Sequence, residues 1–299
     1  MIFALLTAIC WSFAGFSSSR ISRAYGTAVG NGLRLFFSTI VLLLICVFSG
    51  ISLWLPGQPW FMLAGVIHLT LGDIGLFAVY RRLGPRIGVL MVSSLAPATA
   101  LLGEWVLLGT TLKLQQLFMI GVILALVIFA VAPRERSHLS RRELKIGILA
   151  GFFAAVMQGL SAVVSRYAYS LSDIAISPWS AAFSRVSTAT LGVGCWILFL
   201  QLKGHNPLRK PEELVPHKKI AGHPAIWMTV SVGLGPVLGI TCLMKALETT
   251  PSGLVQAVIS TLPVFMIPVA WILDGNVPSR RSVLAGCGAV GMTAWLIMI

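Results

Sequence analysis

Residues 84–109 are GPRIGVLMVSSLAPATALLGEWVLLG, and residues 250–275 are TPSGLVQAVISTLPVFMIPVAWILDG. Each stretch opens on a Pro-containing pair, continues as a long apolar run and has a proline near its middle. Among the positions that recur at the same separations are Ser94, Pro97, Trp105 and Gly109, which return as Ser260, Pro263, Trp271 and Gly275. A Pro and Trp frame that recurs in one order predicts a duplicated unit.

The composition around these runs is that of a membrane protein. Of the 299 residues, 57% are hydrophobic and only 10% are charged, whereas soluble domains carry about 25% charged residues. A membrane helix needs about 20 residues, so ten crossings use about 200 residues and leave about 100 for loops. These numbers predict a polytopic membrane protein with short loops and exclude a separate soluble domain of ordinary size.

Apolar runs bounded by charge, Gly or Pro divide the chain into ten segments. The runs are too long, and alternate too little, for the strands of a membrane barrel. They are residues 1–19, 27–49, 60–80, 87–108, 114–132, 144–165, 178–200, 225–246, 252–273 and 283–299. The predicted fold class is therefore an all-α integral membrane protein with ten transmembrane helices.

The domain organisation follows from the duplication. We expect a first five-helix repeat at residues 1–132, a basic linker at 133–143 and a second five-helix repeat at 144–299. Ser19-Arg20 recurs as Ser165-Arg166, and Arg34 recurs as Arg185. Because five is an odd number, the second repeat enters the membrane upside down, which is the inverted-repeat pattern of secondary transporters.

A further run strengthens this interpretation. Leu95-Ala-Pro97 is followed by Leu108-Gly109-Thr-Thr-Leu-Lys-Leu-Gln115-Gln-Leu and then Gly121. With two five-helix repeats and a proline within helices four and nine, the chain resembles the EamA-like, ten-helix branch of the drug/metabolite transporter superfamily. The resemblance implies export or import of small metabolites through a central cavity lined by helices one to four and six to nine, with helices five and ten peripheral.

One feature departs from the family pattern. Helices four and nine of the family usually end in Gly-Glu, whereas this chain has Gly109-Thr110 and Gly275-Asn276. A role for that glutamate is therefore not transferred to this chain.

The charge distribution predicts an orientation. Alternate connections carry 17 of the 22 basic residues: Arg20, Arg23, Arg81, Arg82, Arg86, Arg134, Arg136, Arg141, Arg142, Lys145, Lys203, Arg209, Lys210, Lys218, Lys219, Arg280 and Arg281. Because cytoplasmic loops retain Lys and Arg, we expect these loops in the cytoplasm and both termini outside a cell membrane. The net charge of +13 thus reflects loops between apolar runs, and nucleic acid is not an expected partner.

Ionisable residues inside the membrane are the first candidates for the site, since each costs roughly 3 kcal/mol at mid-membrane. Five fall within the predicted helices: Arg34, His68, Asp73, Glu104 and Arg185. Arg34 and Arg185 either snorkel to headgroups from about 10 Å depth or face one cavity from the two repeats and bind a carboxylate or an anionic substrate.

The other three have structural alternatives. His68 and Asp73 lie about 140° apart on an α-helix, and each either caps a neighbouring helix or serves the cavity. Asp73 is the main candidate for a proton carrier, with His68 and Glu104 behind it. Glu104, beside Trp105, is either an interfacial anchor or a gate carboxylate that pairs with Arg185.

Several uncharged residues complete the candidate set. Gln158 and Gln256 are expected to line a polar part of the cavity and Trp11 to stack on substrate, with packing as the alternative for each. Pro97 and Pro263 are expected to bend their helices and free carbonyl groups beside the cavity.

The functional prediction is a secondary transporter that moves a small organic metabolite by alternating access, with proton-coupled export as one form. Histidine and carboxylate spacings predict no metal site, and no Gly-rich phosphate loop or other cofactor motif is present. Substrate and bilayer are the expected partners, and ten helices suffice to enclose a cavity, so the sequence does not fix an oligomeric state. The alternatives are a membrane-embedded enzyme acting on lipid or isoprenoid substrates and a non-transporting scaffold.

Overall fold

The computed structural model describes residues 1–131, 140–204, 206, 223–274 and 280–298. Regular structure in these ranges is helical. The helices are α1 (Ile2–Tyr25), α2 (Thr27–Phe48), α3 (Gln58–Gly65), α4 (Asp73–Leu108), α5 (Leu114–Val131), α6 (Arg141–Ser170), α7 (Pro178–Leu202), α8 (Pro224–Val232), α9 (Leu238–Thr249), α10 (Ser252–Ile259), α11 (Leu262–Asp274) and α12 (Arg280–Met298). Most of the predicted linker 133–143, and the Gly275-Asn276 pair, lie outside the described residues.

Two short π-helical segments join successive α-helices. Val66–Gly72 links α3 to α4, and Gly233–Val237 links α8 to α9. Each lies within the third apolar run of its half of the chain. A π-helix bonds residue i to i+5 and so turns more slowly than an α-helix, which changes the side chains that share a face.

Eight stretches of the described residues are long and apolar enough to cross a membrane. They are Ile2–Ser22, Thr27–Phe48, Gln58–Tyr80, Gly88–Leu108, Arg141–Ser170, Pro178–Leu202, Pro224–Thr249 and Ser252–Val269. The predicted fifth and tenth runs also form helices, with shorter apolar stretches at Leu114–Phe129 and Val283–Thr293. The prediction of an all-helical membrane protein is confirmed, whereas ten crossings in two inverted repeats remain a prediction.

The outer surface of the bundle is apolar, as a lipid environment requires. Phe48, Leu191 and Leu284 are all more than two-thirds exposed. Charged side chains are scarce along the same helices, so this surface suits hydrocarbon rather than water.

Helix α4 reverses direction between Tyr80 and Gly88. A Cβ atom placed on Gly88 would lie 3.0 Å from Cγ1 of Val79, although residues nine positions apart in a straight helix are about 13.5 Å apart. The reversal contains the sequence Gly84-Pro85, one of the Pro-containing pairs that open the quoted stretches. Helix α4 therefore supplies two antiparallel arms, which correspond to the third and fourth predicted crossings.

Both arms of α4 pack on α6, and glycines allow the contact. Gly75 of the first arm lies against Ala150, and Gly103 of the second arm lies against Val163. A Cβ atom on Gly159 would lie 2.7 Å from the carbonyl oxygen of Ala96. Close approach of helices through small residues is the usual packing device in membranes.

The buried apolar residues form three clusters: a main one, a peripheral one, and a small one that includes Phe16, Val89 and Met266. The main cluster joins α1, α2, α3, α6, α7, α9 and α10 through residues such as Leu35, Val186 and Met244. A second cluster joins α5 to α12 through Ile123 and Ala289. The central helices thus surround the site described next, while α5 and α12 pack beside them.

Candidate functional site

A cavity of about 90 Å³ lies among α1, α2, the first π-helical segment, α4, α6, the second π-helical segment, α9 and α10. Its wall is mainly apolar, with Leu76, Phe77, Val92 and Ile240 among its residues. Besides the indole of Trp11, the polar side chains that interrupt that wall are Ser18, Arg34, His68, Asp73, Tyr80, Ser93 and Gln158. A polar cavity of this volume has room for several water molecules or a small chemical group.

Arg34 and Asp73 form an ion pair on the wall of this cavity. Nη2 of Arg34 donates to Oδ2 of Asp73 at 2.6 Å and to Oδ1 of Asn31 at 2.7 Å. Nη1 of Arg34 donates to Oγ of Ser18 at 3.3 Å, and that hydroxyl contacts the hydroxyl of Ser231 at 2.8 Å. The pair therefore links α1, α2, α4 and α8, and Arg34 does not snorkel to the headgroups.

The first π-helical segment places His68 and Asp73 on the same wall. The N–H of Asp73 donates to the carbonyl of His68, five residues earlier. The separation of about 140° expected for an α-helix therefore does not apply, because an i to i+5 bond stacks the two residues. Asn31 also donates to the carbonyl of Leu69 within this segment, at 3.4 Å.

Arg185 lies behind His68 and does not line the cavity. Its side chain is fully buried, and its Nη2 lies 3.4 Å from Nδ1 of His68. It also donates to Oγ of Ser165 at 2.6 Å and to Oγ of Ser161 at 2.7 Å, both on α6. The two arginines therefore occupy different environments, one beside a carboxylate and the other among neutral groups.

Trp11 lines the cavity between α1 and α9. Its ring centroid lies 5.6 Å from that of His68, and its indole rests on Gly239, where a Cβ atom would collide with the ring. Gln158 lines the cavity as well, and its Nε2 donates to Oε1 of Gln256 at 3.0 Å. Gln256 is itself buried in α10.

Glu104 lies away from the cavity and does not pair with Arg185. Its carboxylate accepts hydrogen bonds from the backbone N–H and the hydroxyl of Ser252, the first residue of α10. A carboxylate at a helix N-terminus satisfies free N–H groups and the helix dipole. Because Glu104 is buried, it joins α4 to α10 rather than anchoring at the membrane interface, while the neighbouring Trp105 is exposed.

The two prolines lie in different local structures. Near Pro263 the helix is interrupted, since α10 ends at Ile259 and α11 begins at Leu262. Helix α4 continues through Pro97, which is buried. A third proline that sequence reasoning missed, Pro236, lies inside the second π-helical segment and lines the cavity.

Sequence reasoning also missed the neutral partners of the arginines. Asn31 precedes Arg34 by three residues, a spacing that places two side chains together on a helix, and this signal was available. Ser18, Ser161, Ser165 and Ser231 carry no such signal, because small polar residues are common in membrane helices.

The site combines polar and apolar contacts in one cavity. An ion pair, a histidine and Gln158 meet an apolar wall, so an amphipathic solute finds both kinds of surface here. Among the residues that the structure describes, no three His, Cys, Asp or Glu side chains are placed to hold a metal ion.

The comparisons with known proteins identify the family. The model of the EamA-like transporter family matches residues 1–132 and 145–298. One solved crystal structure of a protein matches with a TM-score of 0.73 and 19% identity, over 98% of this chain and 94% of that chain, and at this identity the likeness shows the fold alone. A comparison with curated proteins finds no match. Because the family model covers nearly the whole chain, the resemblance seen in the sequence is confirmed, and the chain belongs to the EamA-like transporter family of membrane transporters for small solutes.

Proposed function

We propose that the protein is a secondary transporter that moves a small organic metabolite across a cell membrane by alternating access. The observation that carries the proposal is the cavity between the two halves of the chain, with the Arg34–Asp73 pair on its wall. Ionisable groups buried in a membrane bundle usually mark a substrate or ion pathway. Transporters of this kind bind their solutes near the middle of the membrane, between repeats.

Paired features support two inverted five-helix repeats, at residues 1–132 and 144–299. Arg34 donates to a serine of the preceding helix α1, and Arg185 donates to serines of the preceding helix α6. Each half also contains one π-helical segment at its third apolar run. In the proposed mechanism, the two halves rock about the cavity and expose it to one side at a time.

The proposed energy source for transport is a proton gradient, which drives export of the solute. Asp73 lies beside the cavity, within the apolar stretch Gln58–Tyr80, and a change in its charge breaks or makes the pair with Arg34. The second half has Gly239 at the corresponding position. The proton site is therefore proposed in the first half only. The proposed orientation places the basic loops in the cytoplasm and both termini outside.

Flux into proteoliposomes tests the proposed function. Purified protein is reconstituted, and the uptake of a metabolite library is compared with that of protein-free vesicles, with and without a pH gradient. Saturable uptake of at least one organic solute is expected. Conversion of lipid or isoprenoid without flux would favour the enzyme alternative, and neither flux nor conversion would favour a scaffold.

A further inference from the structure

Arg185 carries a positive charge for which the described residues provide no carboxylate. Its contacts are the hydroxyls of Ser161 and Ser165, Nδ1 of His68, and Sδ of Met244 at 3.8 Å. The ion pairs formed by described residues do not include Arg185. A fully buried charge without a counter-charge is costly in a membrane bundle, so its retention needs a reason.

The hydrogen-bonding capacity around Arg185 is not fully used. Nε of Arg185 and the hydroxyl of Tyr169 are both buried without a hydrogen-bond partner. Ser161, Ser165 and Tyr169 are four residues apart on α6 and share one helix face. The two serine hydroxyls already donate to the carbonyls of Ala64 and Ser161. The Nε–H of Arg185 therefore lacks an acceptor, and an anion is the acceptor that a guanidinium binds most strongly.

His68 separates this cluster from the cavity. Its ring lines the cavity, and its Nδ1 faces Nη2 of Arg185. A guanidinium has no acceptor, so Nδ1 of His68 accepts this hydrogen bond. The His68 ring therefore lies between the cavity and Arg185.

Arg34 is less suited to bind an anion, because Asp73 already neutralises it at 2.6 Å. Any anionic group of a solute in the cavity would compete with that carboxylate at Arg34. At Arg185 it meets no such competitor among the described residues.

We propose that Arg185 recognises a singly charged anionic group, such as a carboxylate, on the transported solute. The apolar part of that solute lies in the cavity against Trp11 and Phe77, while its anionic group displaces His68 and reaches Arg185. This inference rests on the proposed transport function and adds to it the chemical class of the substrate.

Three probes with one aromatic skeleton test the proposal: phenylacetate, 2-phenylethanol and phenethylamine, which are anionic, neutral and cationic. Their binding to the purified full chain is measured by calorimetry at one ionic strength. We expect phenylacetate to bind at least tenfold more tightly than 2-phenylethanol. Equal binding of the three probes, or no binding of any, would overturn the anion site without any variant.

Variants locate the preference. Arg185→Gln keeps hydrogen-bonding groups for Ser161 and Ser165 but removes the charge, so the tenfold preference should vanish while 2-phenylethanol binds as before. Arg141→Gln changes the net charge equally at an exposed position at the start of α6, and it should keep the preference. Retention of the preference in Arg185→Gln contradicts the proposal.

Flux measurements keep this inference separate from the proposed function. If the parent transports neutral solutes but shows no anion preference in binding, the anion site is wrong and the transport function stands. If the anion preference is present and no solute of the library is transported, the site stands as a binding site and the transport function fails.

Discussion

The indole of Trp11 lies directly on the α-carbon of Gly239, so a side chain from α1 occupies the space that a side chain on α9 would fill. Thr7, one turn earlier on α1, donates to the carbonyl of Gly239 at 3.4 Å. The position of the Trp11 indole in the cavity wall therefore requires glycine at position 239.

Replacement of Gly239 by Ala should displace the indole from its position against α9. Overpacking of this kind costs about 1–3 kcal/mol, and we expect a lower thermal unfolding temperature together with slower solute flux. Gly194→Ala is the matched control, because a Cβ atom at Gly194 meets no other atom within 4 Å. An unchanged flux in the Gly239 variant would show that the position of Trp11 does not matter for transport.

The Arg34–Asp73 pair should show strong coupling in stability. Removing one member leaves the other charge buried, which costs about 3–5 kcal/mol, so Arg34→Met and Asp73→Leu should each lower the free energy of unfolding by about that amount. The double variant should lose much less than the two single losses together. Unfolding measured in one detergent for all four proteins gives the coupling, and additive losses would contradict a functional ion pair in the folded protein.

Asp73→Asn should separate coupling from translocation. The amide cannot carry a proton between the two sides, so accumulation driven by an imposed pH gradient should be lost. Exchange of solute at equal pH should continue, because the side chain keeps its shape and an acceptor for Arg34. Accumulation like that of the parent would assign Asp73 a structural role and favour a facilitator or an exchanger.

The orientation predicts where the end of the chain lies. Alkaline phosphatase fused after Ile299 should be active, because it needs the oxidising side of the membrane to form its disulfides. A fusion after Gly204, in a basic loop, should be inactive and is the control. The reverse pattern would place the basic loops outside the cytoplasm.

The helices were predictable because apolar runs of about 20 residues have few other folds in a membrane. The interruption predicted between residues 80 and 87 appears as a reversal within α4, which runs from Asp73 to Leu108. The end of the third crossing and the whole of the fourth therefore lie in one helix, and no sequence rule for loops anticipates this.

The sequence predicted which residues line the site better than it predicted which of them contact one another. Arg34, His68, Asp73, Trp11 and Gln158 were identified as candidates and all line the cavity. The sequence-based angle between His68 and Asp73 was wrong, because it assumed an α-helix. The π-helical segment that brings them to one wall has no reliable signature in a single sequence. The different environments of Arg34 and Arg185 depend on tertiary packing, which repetition in the sequence does not reveal.

Glu104 and Ser252 connect the first half of the chain to the second through the amide end of α10. If α4 moves away from α10, the Ser252 amide loses the only acceptor that the described residues give it and must turn to water. Exchange of this amide hydrogen with deuterated solvent therefore requires the two helices to part. Where reclosing is faster than chemical exchange, its exchange rate reports the fraction of molecules in which this face is open, without a known substrate.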